Sequence, residues 1–166
     1  MHGRDTRTSR FIASSRCTTI RGSTRRWWPN APARPADGRR TVRVLIVKTT
    51  SMGDVVHALP AVTDLHRRCP DATIDWLVEA PFAAIPALHP AVQQVLPLAW
   101  RKWRRSLWRA ETRQAIANLR LRLRAQRYDL VIDLQGLVKS MLWGLQARGP
   151  LVGYDRRSIR EPLAAL

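Results

Sequence analysis

Residues 42–47 read VRVLIV and run through Lys48-Thr49-Thr50-Ser51-Met52-Gly53 into Asp54. An almost continuous apolar, β-branched run of this length suits a strand buried on both faces of a parallel sheet. A helix is expected to follow from Asp54 to Arg68, with Val55, Leu59, Val62 and Leu65 along one face. Pro60 lies inside it, where a proline kinks a helix. Further out, residues 73–78 (TIDWLV) read as a second strand, a short proline-bounded helix lies near 82–88, and 92–96 reads as a third strand. A long helix is expected over 104–126, a fourth strand at 130–133 (LVID), a helix over 137–146, and a fifth strand over 151–154. Strand and helix alternate throughout. The fold class is therefore α/β, with a doubly wound, Rossmann-like parallel sheet.

The chain has 166 residues, 29 Lys+Arg against 12 Asp+Glu, a net charge of +17, 45% hydrophobic residues and two Cys. That apolar content excludes a wholly disordered polyelectrolyte, and two Cys exclude a disulfide scaffold. No apolar run is long enough to span a membrane. The charge is unevenly placed: 1–41 carry ten Arg and two acidic residues, and 101–127 carry ten cations and one acidic residue. Residues 42–100 and 128–166 are each within one charge of neutral.

Residues 1–41 mix Arg with Ser, Thr and Pro and show no apolar period, a composition that cannot bury enough surface to offset ordering entropy. They read as a disordered extension, or as residues upstream of a natural start near Val42. A targeting segment and a functional basic arm are the weaker readings. With no secretory signal, Cys17 and Cys69 are expected to stay reduced thiols.

Ligands of doubly wound sheets gather where strand C-termini meet helix N-termini. The loop Thr50, Ser51, Met52, Gly53 leading to Asp54 is one such junction, and Gly53 offers a tight turn or a close backbone approach there. No G-x-G-x-x-G and no G-x-x-x-x-G-K-[ST] is present, which counts against a nucleotide-dependent oxidoreductase. An Asp at a helix start is most simply an N-cap, and on spacing alone capping is preferred to catalysis. His57 lies one turn further on the same helix face, so a His–Asp acid–base pair is open beside an ordinary hydrogen-bonding role. The His and Cys positions show no metal-site spacing.

The junction at 133–140 (DLQGLVKS) opens on the same sheet edge, with Gly136 for the turn. Gln135, Lys139 and Ser140 either face the crevice or serve as caps and a solvated lysine. Residues 100–108 (WRKWRRSLW) interleave three Trp with Arg101, Lys102, Arg104 and Arg105. A polyanionic partner competes there with a solvated face. On a helix at about 100° per residue, Arg109, Arg113, Arg120, Arg124 and Arg127 form one stripe beside an apolar arc with Trp108, Ala115, Ile116, Leu119 and Leu123. For that stripe a solvated face is preferred.

Residues 42–65, 74–79, 100–108, 128–140 and 160–164 (REPLA) together resemble the N-terminal half of the lipopolysaccharide heptosyltransferase I family, within glycosyltransferase family 9. The resemblance covers 42–166 in order and spacing, and 1–41 match nothing in that family. It implies the acceptor-binding N-terminal domain of a GT-B glycosyltransferase. The implied reaction is inverting transfer of L-glycero-D-manno-heptose from ADP-heptose to Kdo of Kdo2-lipid A, in lipopolysaccharide core biosynthesis, with neither metal nor cofactor. Asp54 matches the catalytic base, which reverses the preference for a mere cap. Arg101, Lys102, Arg104 and Arg105 match the segment that meets the acceptor's phosphates and carboxylates. Arg160, and less closely Gln135 and Lys139, match positions lining the cleft. A GT-B enzyme has two such domains, so 42–166 are expected to be a truncated acceptor domain that lacks the nucleotide-sugar domain and is inactive alone. A cytoplasmic monomer, peripheral at the cytoplasmic face of a Gram-negative inner membrane, is the implied setting. The alternative from another class is a basic nucleic-acid-binding module, which requires DNA binding that survives deletion of 1–41.

Overall fold

The computed structural model describes residues 41–154, so all but Thr41 of the expected extension, with Cys17 and Arg160, lies outside the described residues. The elements run β1 Arg43–Val47, α1 Met52–Arg68, β2 Thr73–Glu79, a 3-10 turn Ala80–Phe82, α2 Ala84–Ala87, β3 Val92–Leu98 and α3 Trp100–Trp103. α4 Ala110–Ala125, β4 Leu130–Asp133, α5 Val138–Gly144 and β5 Leu151–Val152 complete them.

All strand pairs are parallel, in the order β3-β2-β1-β4-β5. β1 is central, with Val47 opposite Leu77 of β2 and Asp133 of β4. Alternate side chains of a strand point to opposite faces, and both faces of β1 are apolar because both are covered. Val44 and Ile46 join Ile74, Trp76 and Val78 under Val55, Ala58 and Val62 of α1. Leu45 and Val47 join Leu77, Leu96 and Leu98 under Leu119 and Leu123 of α4 and Trp143 of α5. Each Val, Leu or Ile side chain so withdrawn from water contributes about 1.5–3 kcal/mol. Helices on both faces make the sheet doubly wound, and the switch point falls between β1 and β4.

Two expectations need correction. α1 starts at Met52, with Ser51 as N-cap, so Asp54 is the third helical residue and not the cap. The helix continues through Pro60 to Arg68. The long helix expected from residue 104 starts instead at Ala110, with Arg109 as its extended N-cap. Residues 100–103 form the separate helix α3, because Trp100 and Trp103 are held by the ring of Trp143, at 6.4 and 6.0 Å between centroids. Trp108 leaves the packed face and is 72% exposed. Arg127 lies past the helix in a bridge to Arg148, which leaves Arg113, Arg120 and Arg124 as the exposed stripe on α4.

Two glycines are structurally required. Gly136 has φ 66°, a left-handed conformation that side chains resist. A Cβ on Gly149 would stand 2.5 Å from the carbonyl oxygen of Tyr128, so the two backbones touch there. Gly53, by contrast, lies in the first turn of α1 with no protein atom within 4 Å of a Cβ placed there, so packing within the chain does not require a glycine at that position.

At the N-terminal end of the strands a second polar cluster is buried. The Tyr128 hydroxyl donates to Asp75 Oδ2 at 3.0 Å, Arg43 lies 3.6 Å from the same oxygen, and Arg43 N–H donates to Asp129 at 2.9 Å. Burial raises the Asp75 carboxyl, against the pull of Tyr128 and Arg43. Burial and the neighbouring Asp75 hold the Tyr128 phenol well above its ordinary range.

Candidate functional site

The two loops expected to form a crevice lie side by side, because β1 and β4 are neighbours. Gln135 fastens them: its Oε1 accepts the N–H groups of Thr49 at 3.1 Å and Thr50 at 3.0 Å. Lys48 Nζ donates to Leu134 O at 2.8 Å, and Lys139 Nζ donates to Thr50 Oγ1 at 3.4 Å. On the other side, Glu79 N–H donates to Thr49 O at 3.1 Å. The β1–α1 loop is thus stitched to both neighbouring strand ends.

The β4–α5 junction is rigid for a local reason. Asp133 Oδ1 accepts the N–H groups of Gln135 at 2.8 Å and Gly136 at 3.3 Å, and its Oδ2 accepts the Ser140 hydroxyl at 2.8 Å. Ser140 Oγ in turn accepts Leu137 N–H at 3.2 Å. Asp133, Gln135 and Ser140 are all buried. Burial pushes the Asp133 carboxyl up, and those hydrogen bonds pull it back. Gln135, expected as an acceptor contact, has its carbonyl committed to the neighbouring loop, and Ser140 to the turn; both act as frame. Lys139 is half-buried at the crevice wall.

The working rim is different. Ser51, Met52 and Gly53 are exposed, while Thr50 beneath them is buried. Asp54 is half-buried on the first turn of α1, and its Oδ2 accepts Ser51 N–H at 2.8 Å and Ser51 O–H at 3.3 Å. This is the capping-box bond that runs from the third helical residue back to the N-cap N–H, so Asp54 serves the helix start from a different position than the N-cap expected on spacing. The carboxylate that caps is therefore also the one presented at the crevice. A carboxylate held in place at a wet rim can take a proton from a group brought against it. His57 is exposed one turn further along.

Glu79 ends β2 opposite Leu98, so the segment after β3 starts on the same edge as Asp54. Arg101, Lys102, Arg104 and Arg105 are all exposed there, and buried Trp103 with half-buried Trp100 root their segment in the core. Glu79 is buried on this edge at the end of β2, which the sequence does not announce, since VE at a strand end carries no signal of burial. Among the described residues, no group of three or more His, Cys, Asp and Glu side chains could hold a metal ion.

Comparison with known proteins agrees with this geometry. Residues 116–166 match the model of glycosyltransferase family 9 (heptosyltransferase). Lipopolysaccharide heptosyltransferase 1 of Pseudomonas aeruginosa is 50% identical over 125 residues, which cover 75% of this chain and 35% of the relative. The protein of that name from Escherichia coli K12 is 49% identical over 126 residues, covering 75% and 40% respectively. The solved structure of E. coli heptosyltransferase WaaC with ADP superposes with a TM-score of 0.73 at 48% identity, over 75% of this chain and 39% of that one. The chain thus spans well under half the length of the relatives it matches. Sheet, switch-point crevice and sequence agree: over three quarters of its length the chain is similar to the heptosyltransferases of glycosyltransferase family 9.

Proposed function

We propose that residues 42–166 are the acceptor-binding N-terminal domain of an inverting GT-B heptosyltransferase of lipopolysaccharide core biosynthesis. The reaction transfers L-glycero-D-manno-heptose from ADP-heptose to a Kdo hydroxyl of Kdo2-lipid A. The Asp54 carboxylate takes the hydroxyl proton as that oxygen attacks the anomeric carbon, the bond to ADP breaks on the opposite side, and the configuration inverts. No metal or cofactor takes part. Arg101, Lys102, Arg104 and Arg105 receive the acceptor's phosphates and carboxylates through charge-assisted, often bidentate hydrogen bonds. Lys139 adds a cation at the crevice wall, Gln135 supports the loop that carries Asp54, and Arg160, outside the described residues, is assigned to the acceptor by resemblance alone. The donor's nucleotide is held mainly by a second domain of the whole enzyme, and this domain by itself turns over little.

The supporting observation is the placement of Asp54, fastened by Ser51 at the switch-point rim, on the same sheet edge as four exposed cations. Among the described residues no helix is long and apolar enough to cross a membrane. Exposed Leu107 and Trp108 beside the cations suit contact at a lipid surface, so the enzyme works as a peripheral monomer at the cytoplasmic face of the inner membrane.

The test is transfer by this chain joined to the remaining part of the E. coli relative, assayed with ADP-heptose and Kdo2-lipid A. Heptosylated product is expected. Replacing Arg101, Lys102, Arg104 and Arg105 together by Gln is expected to raise KM for Kdo2-lipid A more than it lowers kcat. A folded fusion with no transfer activity would sink the proposal.

A further inference from the structure

A surface helix of a folded domain turns an apolar stripe to the core and its charges to water. α4 departs from this rule. On a helix at about 100° per residue, with buried Thr112 set at about 0°, buried Leu119 and Leu123 fall at about 340° and 20°. The opposite arc, from about 140° to 220°, holds Ala110, Gln114, Ala117, Leu121 and Ala125. All five are exposed, Leu121 by 66%, and none is charged. The Gln114 amide donates along the helix to Asn118 Oδ1 at 2.9 Å. Arg113, Arg120 and Arg124 stand together on one flank, at about 80–120°. Arg113 also donates to Trp108 O at 3.0 Å, which joins the turn carrying exposed Leu107 and Trp108 to the start of this flank.

Charge points the same way. All ten cations of residues 101–127 are exposed, against Glu111 as the one acidic residue there. α1 covers the other face of the sheet, and residues 52–72 hold Asp54, Asp64 and Asp71 against Arg67 and Arg68, a surplus of one negative charge. Arg67 there lies 4.0 Å from Asp64, whereas Arg113 and Arg124 bond neutral acceptors, Trp108 O at 3.0 Å and Gln146 Oε1 at 3.5 Å. A polynucleotide would draw on the cations alone and leave the uncharged crown unused. An anionic bilayer uses both: apolar side chains settle at the acyl boundary, while arginines lie along the helix and reach the lipid phosphates. We propose that the outward crown of α4, with Leu107 and Trp108 at its N-terminal end, is a docking face for an anionic phospholipid bilayer. The proposal rests on the acceptor reading for its membrane setting. It assigns the lipid surface to α4 and leaves Arg101, Lys102, Arg104 and Arg105 to the acceptor.

The experiment labels the arginine side chains of the 166-residue chain with phenylglyoxal and reads each site by mass spectrometry, with and without vesicles. With vesicles of phosphatidylcholine and phosphatidylglycerol in equal parts, Arg113, Arg120 and Arg124 are expected to label about fivefold or more slowly, while Arg67 and Arg68 keep their rates. In sedimentation with the same vesicles, Leu121→Glu is expected to weaken binding about tenfold, and Leu88→Glu, at the exposed end of α2, less than about twofold. The two variants carry the same net charge and the same ten Arg in 1–41, so their difference reads position alone. Equal losses in the two variants overturn the proposal. So do unprotected α4 arginines, or arginines protected by duplex DNA and not by anionic vesicles. In the fusion to the remaining part of the E. coli relative, without lipid, these arginines are expected to label as fast as in the chain alone. Slower labelling there overturns the proposal, because the rest of the enzyme then covers this face. Heptose transfer to Kdo2-lipid A in detergent needs no vesicle and tests the acceptor reading separately. A fusion that transfers nothing, yet whose α4 arginines are protected by anionic vesicles, sinks that reading and supports this face.

Discussion

The β1–α1 and β4–α5 junctions look alike in sequence, each a polar run with one glycine and one aspartate, but they are built oppositely. At β4–α5 the aspartate, glutamine and serine are buried and bonded to one another and to the turn. At β1–α1 the serine and glycine are exposed and the aspartate half-buried, with Ser51 as its bonded neighbour in the loop. One junction is a frame and the other is a surface held by that frame through Gln135. On the proposed function, the difference separates residues that cost stability when changed from residues that cost chemistry.

The largest expected effect breaks the frame. Asp133→Ala strands the N–H groups of Gln135 and Gly136 and leaves the Ser140 hydroxyl with Leu137 O alone, and should lower unfolding free energy by about 2–4 kcal/mol in urea titration. A loss near zero would mean that the junction is not a frame. Gly136→Ala forces a side chain into the left-handed region at φ 66° and should cost about 1–2 kcal/mol. At the matching glycine of the other junction the sign should differ. Gly53→Ala meets open space on a helix and should be neutral or stabilising by up to about 1 kcal/mol.

The remote cluster supplies a control with a pH signature. The Asp75 carboxyl is raised in the folded state, so between its unfolded value of about 3.9 and its folded value the native chain binds more protons. Its contribution is fully present below that window, and stability falls as pH rises through it. Asp75→Asn should flatten this slope in denaturation curves taken from pH 4 upward, while leaving the crevice loops unaffected. A slope that persists unchanged would assign it to Glu79 or Asp133, which are raised by the same cause.

Much of this architecture was legible. The run VRVLIV announced a strand covered on both faces, and the alternation of elements gave the parallel, doubly wound sheet. That both crevice loops share one sheet edge followed from the parallel alternation of strand and helix. The start of α4 was not legible, because WRKWRRSLW is made of good helix formers. Its break comes from the Trp143 ring, 40 residues from Trp103, which anchors α3 separately. For Gln135 the sequence leaves crevice and cap both open, since nothing local says that its carbonyl will serve Thr49 and Thr50. The burial of Glu79 was not legible, because a carboxylate at a strand end reads as solvated.

The central claim is that Asp54 carries chemistry while the opposing junction carries structure. Its most direct test compares Asp54→Asn with wild type in the fusion to the remaining part of the E. coli relative, measuring heptose transfer and unfolding together. Transfer should fall by about 10²–10⁴-fold, as for loss of a general base. Unfolding free energy should stay within about 1 kcal/mol of wild type, the value of one acidic group at a helix start. Transfer retained within tenfold of wild type, or lost only in proportion to lost folding, would contradict the account.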